Sequence, residues 1–354
     1  MKPDISVIMS VYNGESYLKE AVESVINQTF KNWELIIIND CSTDSTGEIL
    51  ADYAVKDERI KVHTNEVNLK LPSSLNKAIS LSEGKYIARM DADDISLPDR
   101  LEKQFKFMEE NGDVALSSCR FLTLKNGVYA PGGAGARCDF AAIKALLLVT
   151  NPILHPGVIA KAEVMKELKY DTSLTCTEDL ELWTRFALNN YKIQILPEVL
   201  LIYRLHDKQI TSTTLERQHS EVLKIQQNYY SSLLEKMSEE MENFYISGIY
   251  FRENTDINGF IKYAKWLRRK AKKNFGIDAI NYALLEILAE YKRNSVPKKD
   301  IKTALLTFYP FSIIKEFTRR KSAAKNDIGK CFIVADKLKI KQTAGTKEFP
   351  IFEK

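Results

Sequence analysis

No stretch of this 354-residue sequence approaches the roughly 18–20 consecutive apolar residues that cross a bilayer. The apolar segment at residues 145–149 is too short and lies mid-chain. The start carries no secretory pattern, so a cytoplasmic protein is expected. Cysteine is scarce: Cys41, Cys119, Cys138, Cys176 and Cys331 are odd in number and scattered, with no CxxC pair and no Cys–His zinc spacing. That argues against a disulfide framework, and reduced thiols are expected. Neither sign of charge dominates. A formal net charge of +4 is too small to call for nucleic acid, and no nucleic-acid partner is expected. No internal repeat or low-complexity tract is visible.

What is present is ordinary for a globular protein: 45% hydrophobic and 28% charged residues make a core that needs no disulfide or structural metal. At this length one large domain or two are expected. Ile5–Val11 is a nearly continuous apolar run, the pattern of a strand covered on both faces. Residues 15–28 follow as a helix, with Leu18, Ala21, Val22, Val25 and Ile26 on one stripe. A second buried strand at residues 34–39 (ELIIIN) runs into Asp40. A helix from Thr46 to about Val55 and a strand at residues 60–63 come next, then a helix at residues 73–82. The strand at residues 85–90 (KYIARM) runs into Asp91. Strands alternating with helices predict βαβ units and a mostly parallel sheet, in which ligands collect at the carboxyl ends of strands. Pro98 suits the first turn of a helix reaching about Asn111, a strand follows at residues 114–118, and residues 131–135 form a glycine-rich loop. After about residue 210 helical patterns rich in Lys, Glu, Tyr and Leu take over. A boundary is expected at the Ser/Thr cluster of residues 211–214, dividing an α/β domain (1–212) from an α-helical region (213–354).

Asp91-Ala92-Asp93-Asp94 places three carboxylates directly after an apolar strand. Like charges this close need a cation or hydrogen-bond donors to neutralise them, and hard oxygen ligands suit Mg²⁺ or Mn²⁺. A solvated acidic turn ahead of the Pro98 helix is the bland alternative. Asp40, Asp91 and Asp93 are expected at the ends of neighbouring parallel strands, converging on one cleft. Ser42 and Asp44 are read as caps of the Thr46 helix.

Residues 5–49 (ISVIMSVYNGESYLKEAVESVINQTFKNWELIIINDCSTDSTGEI) resemble the opening of glycosyltransferase family 2, and residues 85–104 (KYIARMDADDISLPDRLEKQ) resemble its DxD segment and following helix. With Thr177-Glu178-Asp179, the resemblance covers about residues 3–210. It implies a GT-A fold, a Rossmann-like sheet flanked by helices, and transfer of a sugar from a nucleotide diphosphate donor, with a UDP-sugar favoured, with inversion. It also implies that Val11 and Tyr12 lie beside the base and that Asp40 hydrogen-bonds it. Asp91 would contact the ribose or the metal, Asp93 would coordinate the divalent ion, and Asp94 would support rather than ligate.

Thr177-Glu178-Asp179-Leu180-Glu181-Leu182-Trp183 begins a helix whose Leu180, Trp183 and Ala187 face inward while Glu178 or Asp179 projects at the exposed end. Glu178-Asp179 resembles the family's ED motif, with Asp179 at the position of the base that takes the acceptor's proton. First-turn acids also stabilise a helix dipole without any chemistry. Only four histidines occur, and His63 and His219 are read as surface residues. His155 resembles a family histidine on the acceptor side, with a structural hydrogen-bonding role as the alternative. In Tyr203-Arg204-Leu205-His206, the resemblance suggests His206 as a metal or diphosphate ligand and Arg204 as a phosphate partner.

The helical region carries two basic stretches beside aromatics: residues 266–273 (WLRRKAKK) and 308–321 (FYPFSIIKEFTRRK). Each can be a solvated helical face or can rest on an anionic membrane surface, which would suit a lipid-linked saccharide acceptor on the inner face of the membrane. The expected function is an inverting hexosyltransferase of surface polysaccharide synthesis. A nucleotidyltransferase would want a Gly-rich basic phosphate loop, which Val11-Tyr12-Asn13-Gly14 lacks. An inactive scaffold would not be expected to keep all of Asp40, Asp91, Asp93 and Asp179.

Overall fold

The computed structural model describes residues 2–132, 139–174, 176–206, 209, 215–234, 257–276, 279–281 and 283–284. Its apolar runs become the strands of one sheet. β1 (Ile5–Val11), β2 (Trp33–Asn39), β3 (Ile60–Thr64) and β4 (Tyr86–Arg89) are all parallel, in the order β3-β2-β1-β4. The helices joining them are α1 (Leu18–Ile26), α2 (Thr46–Lys56) and α3 (Leu71–Leu81).

Past β4 the sheet becomes mixed. β8 (Ile159–Lys161) runs antiparallel to β4 and to β6 (Val114–Lys125), while β6 is parallel to β9 (Lys192–Arg204). The short β5 (Ile95–Ser96) closes that edge antiparallel to β9. β7 (Val128–Gly132) folds back on β6 through a two-residue turn, Asn126-Gly127, with φ of 51° and 77°. Positive φ at both positions matches the twist of the flanking strands, the reason Asn-Gly is favoured there. The helices of this half are α4 (Arg100–Glu110), α5 (Phe140–Leu146), α6 (Ala162–Leu168) and α7 (Glu178–Leu188).

Strand alternation divides the core. Ile8, Ile36, Ile38 and Ile87 point to one face, covered by α3, α5, α6 and α7. Ile5, Val7, Met9, Leu35, Ile37 and Ala88 point to the other, covered by α1, α2 and α4. Two further helices, α8 (Leu215–Leu233) and α9 (Ile257–Phe275), lie in the expected helical region. Their Tyr229, Tyr230, Phe260, Tyr263 and Leu267 enter the same apolar cluster as α5–α7. The expected boundary at residues 211–214 and the basic stretch at 308–321 lie outside the described residues, as does the His219 side chain.

Two expectations need correction. Pro98 is not in the first turn of α4: the chain there is still bound to its neighbours, with Thr29 N donating to Pro98 O and Leu97 N to Leu200 O. The helix starts only after Asp99. The strands ending at Asp40 and Asp91 are not adjacent, because β1 lies between β2 and β4.

The start of β4 passes so close to β1 that only glycine fits at position 84. A Cβ there would lie 2.5 Å from Ser6 N and 2.9 Å from Ile5 C, both backbone atoms that cannot swing away. Gly84→Ala is expected to cost about 2 kcal/mol or more through overpacking. The check is the midpoint and slope of a urea unfolding curve, and an unchanged midpoint would show that the sheet yields.

Candidate active site

The carboxyl ends of β1, β2 and β4 carry the loops expected to hold the ligand. The loop after β1 is knitted to the loop after β2. Asn13 N donates to Ser42 Oγ (3.0 Å), Gly14 N to Thr46 Oγ1 (2.9 Å) and Glu15 N to Asp44 Oδ2 (3.2 Å). In return Thr43 N donates to Asn13 Oδ1 and Ser45 Oγ to Glu15 Oε2. Asp44 also takes Thr46 N at 3.0 Å, as a cap would, but Ser42 serves the neighbouring loop instead. Glu15, committed to Ser45, lies outside α1, which starts only at Leu18.

Asp40 is buried at the end of β2. Its Oδ1 accepts from Asn65 Nδ2 and Leu69 N, both at 2.8 Å, and no described donor reaches Oδ2. Val11 is buried beside it, and Val11 O accepts from Asp40 N. Tyr12 is 52% exposed. Asp40 thus presents a buried carboxylate next to Val11, with the exposed Tyr12 one residue on.

The acidic turn lies between β4 and β5. Asp91, Asp93 and Asp94 each offer an oxygen within 4.8 Å of the others. Asp94, expected only to support, is therefore a full member of the cluster. It is wholly buried; its Oδ1 accepts from Arg204 N at 2.9 Å and its Oδ2 has no partner. Burial, with the neighbouring Asp91 and Asp93 charges, raises its carboxyl well above the ordinary range. Burial also pushes Asp91 up to about 6, opposed by the charge of Arg89 and aided by that of Asp93. Carboxylates this close repel one another, which a bound cation would relieve.

The end of β9 clasps this turn. Arg204 Nε donates to Asp93 O at 2.9 Å and its Nη2 pairs with Glu20. The guanidinium also lies over the Tyr17 ring, 4.6 Å from its centroid. Arg204, expected to pair with phosphate, is thus bound within the protein and positions the turn. His206 Nε2 lies 2.9 Å from Asp93 Oδ2, and its ring packs 5.0 Å from Tyr17. It meets the carboxylate cluster through Asp93.

Across the cleft α7 begins at Glu178. Leu180, Trp183 and Ala187 are buried, as the stripe predicts. Glu178 does not project: it is buried, its Oε2 has no partner, and Oε1 lies 3.8 Å from His155 Nδ1. Burial, then the adjacent Asp179, push Glu178 up to about 7. Asp179 is the partly exposed member, accepting from Asn151 Nδ2 (2.8 Å) and Leu180 N (2.6 Å). Its carboxyl is also raised, chiefly by burial.

His155 faces inward rather than into the cleft. Its Nε2 lies 2.7 Å from Tyr170 Oη and its ring edge meets Trp183. Burial and the charge of Arg89 hold its imidazole neutral, well below the ordinary histidine range. Its contacts are those of a structural hydrogen-bonding residue behind α7.

Glu178 has a measurable consequence for stability. Its pKa is raised on folding, so its proton is held more tightly in the native state. The stability this contributes is complete below about pH 4.5 and is lost as pH rises through about 7. Glu178→Gln is expected to flatten that decline, a difference on the order of 3 kcal/mol above pH 7. Parallel thermal unfolding profiles of the two proteins across this pH window would refute it.

Residues 6–165 match the family described as Glycosyl transferase family 2. An uncharacterized glycosyltransferase of Methanocaldococcus jannaschii is 40% identical over 220 residues, spanning 61% of this chain and 76% of that protein. The chain belongs to glycosyltransferase family 2. The putative glycosyltransferase EpsE of Bacillus subtilis is 37% identical, over 56% of this chain and 72% of its own length. The O-antigen biosynthesis glycosyltransferase WbnJ of Escherichia coli is 34% identical, over 60% and 83%. The fold is that of GT-A enzymes: the structure of S. aureus TarS 1–349 in complex with UDP-GlcNAc superposes with a TM-score of 0.55 at 20% identity, covering 85% of this chain and 83% of that one.

In this glycosyltransferase the residue that sequence reading passed over is Arg89. It is buried at the end of β4 and forms a two-pronged ion pair with Asp91. Its charge also bears on Asp94, His155, Tyr170, Glu178 and Asp179. A signal was present: an arginine inside an apolar strand, two residues before an aspartate, must be paired if it is buried. Asn151 and Tyr170 gave no such signal. Tyr170 is held by a reciprocal pair of hydrogen bonds with Asn76, 94 residues away.

Proposed function

We propose that the chain moves a sugar from a nucleoside diphosphate donor, a uridine one, to a hydroxyl of a saccharide or lipid-linked saccharide, with inversion at the anomeric carbon and Mn²⁺ or Mg²⁺ as cofactor. The observation that carries this is the cluster of the Asp91, Asp93 and Asp94 carboxylates at the carboxyl end of β4, with Asp91 ion-paired to the buried Arg89. Placement in surface polysaccharide synthesis is supported by relatives named for that work: WbnJ, and the putative teichuronic acid biosynthesis glycosyltransferase TuaG of B. subtilis, 32% identical over 60% of this chain and 82% of its own length. A uridine nucleotide is supported by TarS, whose structures are described as complexes with UDP-GlcNAc and UDP.

The donor set suits a hard divalent cation: three carboxylates in one cluster, one of them with a buried, unpartnered oxygen. Asp91, Asp93 and Asp94 would hold it, with His206 beside Asp93. Such a cation supplies charge for the diphosphate leaving group. Val11, Asp40 and Tyr12 would receive the base. At the other end, the acceptor oxygen bonds to the anomeric carbon and the bond from that carbon to the diphosphate oxygen breaks with its electron pair. The hydroxyl proton passes to the Asp179 carboxylate, which Asn151 and Leu180 N orient. Glu178 and His155 hold α7 in place, and Arg204 holds the acidic turn.

A panel of UDP-, GDP- and dTDP-sugars, each with and without Mn²⁺, tests this by thermal stabilisation and donor hydrolysis. A cation-dependent response confined to UDP-sugars is expected. No cation-dependent response to any donor would overturn the proposal.

A further inference from the structure

The helix α9 (Ile257–Phe275) contains Lys262, Lys265, Arg268, Arg269, Lys270, Lys272 and Lys273 and no acidic residue. At about 100° per residue, Phe260, Tyr263, Ala264, Leu267, Ala271 and Phe275 share one side of it. All six are buried in the cluster that also holds α5 and α7. Lys262, Lys265, Arg269 and Lys273 are exposed and fall within an arc of roughly 80° centred on the opposite side. From Lys262 to Lys273, eleven helical rises, they form a cationic stripe about 16 Å long.

We propose that this stripe seats the protein on an anionic lipid surface. Charge complementarity is the first reason: exposed cations in a row along one side of a helix attract phosphate-bearing headgroups. Shape is the second. The stripe lies on the exposed side of a helix whose other side is fixed to the core, so it offers a line of contact to a flat partner. A single-stranded nucleic acid would want exposed ring faces for stacking. Trp266, the aromatic beside the stripe, has its ring stacked on Tyr230 at 5.5 Å with planes 11° apart. The apolar side being occupied, the contact is one of adhesion rather than insertion. No helix among the described residues is long and apolar enough to cross a membrane. This proposal does not depend on the glycosyl-transfer mechanism. It has a natural fit with it, because α9 packs on α5, and the chain leaving α5 carries Asn151 to Asp179.

The experiment is co-sedimentation of the full chain with phosphatidylcholine vesicles, with and without phosphatidylglycerol, over a range of salt. Each Lys or Arg near such a surface is worth about fivefold in partitioning. The variant Lys262→Gln/Lys265→Gln/Arg269→Gln/Lys273→Gln is therefore expected to bind at least about a hundredfold more weakly. A control of equal charge change on the catalytic body, Lys56→Gln/Lys103→Gln/Lys106→Gln/Lys125→Gln, should bind like the parent. Binding should need phosphatidylglycerol and fade as salt rises. Three results would overturn the proposal: no binding of the parent to anionic vesicles at low salt, equal losses in stripe and control variants, or stripe-dependent binding of an RNA oligonucleotide without vesicle binding. All eight substituted side chains are exposed, so both variants should keep the parent's melting temperature.

Discussion

Asp93→Ala is expected to remove cation-dependent donor binding and to lower transfer by roughly a thousandfold or more. The side chain is the part at risk, not the fold. The turn is held through Asp93 O, which takes Arg204 Nε, and through Asp94 Oδ1, which takes Arg204 N, and both survive truncation at position 93. What disappears is the carboxylate facing His206 and one of three oxygens that would share a cation. Two ligands that must also balance Arg89 leave too little negative charge for a hydrated divalent ion. The measurement is calorimetric titration of a UDP-sugar with and without Mn²⁺, alongside the melting temperature. Undiminished Mn²⁺-dependent affinity in a folded variant would move the cation site elsewhere.

Asp179→Asn should behave in the opposite way: donor affinity stays within about twofold while transfer falls by roughly a thousandfold, the scale of a lost general base. Asn is nearly the same shape and still accepts from Leu180 N. Its new amide meets the Asn151 amide, whose oxygen is committed to Ile153 N, so the variant loses that one hydrogen bond and keeps the one from Leu180 N. The pH profile gives a separate signature. Burial raises the Asp179 carboxyl, and a base must be ionised to act, so transfer in the parent should rise with pH through a range above that of an ordinary aspartate. That limb should vanish from the residual activity of the variant. Weakened donor binding with transfer otherwise intact would assign Asp179 to the donor side instead.

Much of the first half was legible in the sequence because its signals are local. A strand covered on both faces must be apolar throughout, and Ile5–Val11 and Trp33–Asn39 are buried along almost their whole length. An amphipathic helix repeats every 3.6 residues, and Leu18, Ala21, Val22 and Val25 are buried as that period requires. The acidic turn and the Glu178-Asp179 pair were visible as charges at the ends of such elements. The β6–β7 hairpin was legible and overlooked, since Asn126-Gly127 between β-like runs is a local turn signal.

By itself, then, the sequence determined the parallel half of the sheet, the acids at its carboxyl edge and the first-turn acids of α7. Only the tertiary structure decided which of those groups meet. Arg204 reaches Asp93 and Asp94 across more than a hundred residues because β9 lies beside β6 and β5. Glu178 turned inward and Asp179 stayed partly exposed because Glu178 meets His155, whose ring packs between Tyr170 and the Trp183 of α7 itself. Arg89 became the charge that links both sides of the cleft because the packing around β4 buried it next to Asp91. Periodicity reports which face of an element is covered. It carries no information on what covers it, and the charge state of a carboxylate depends on that.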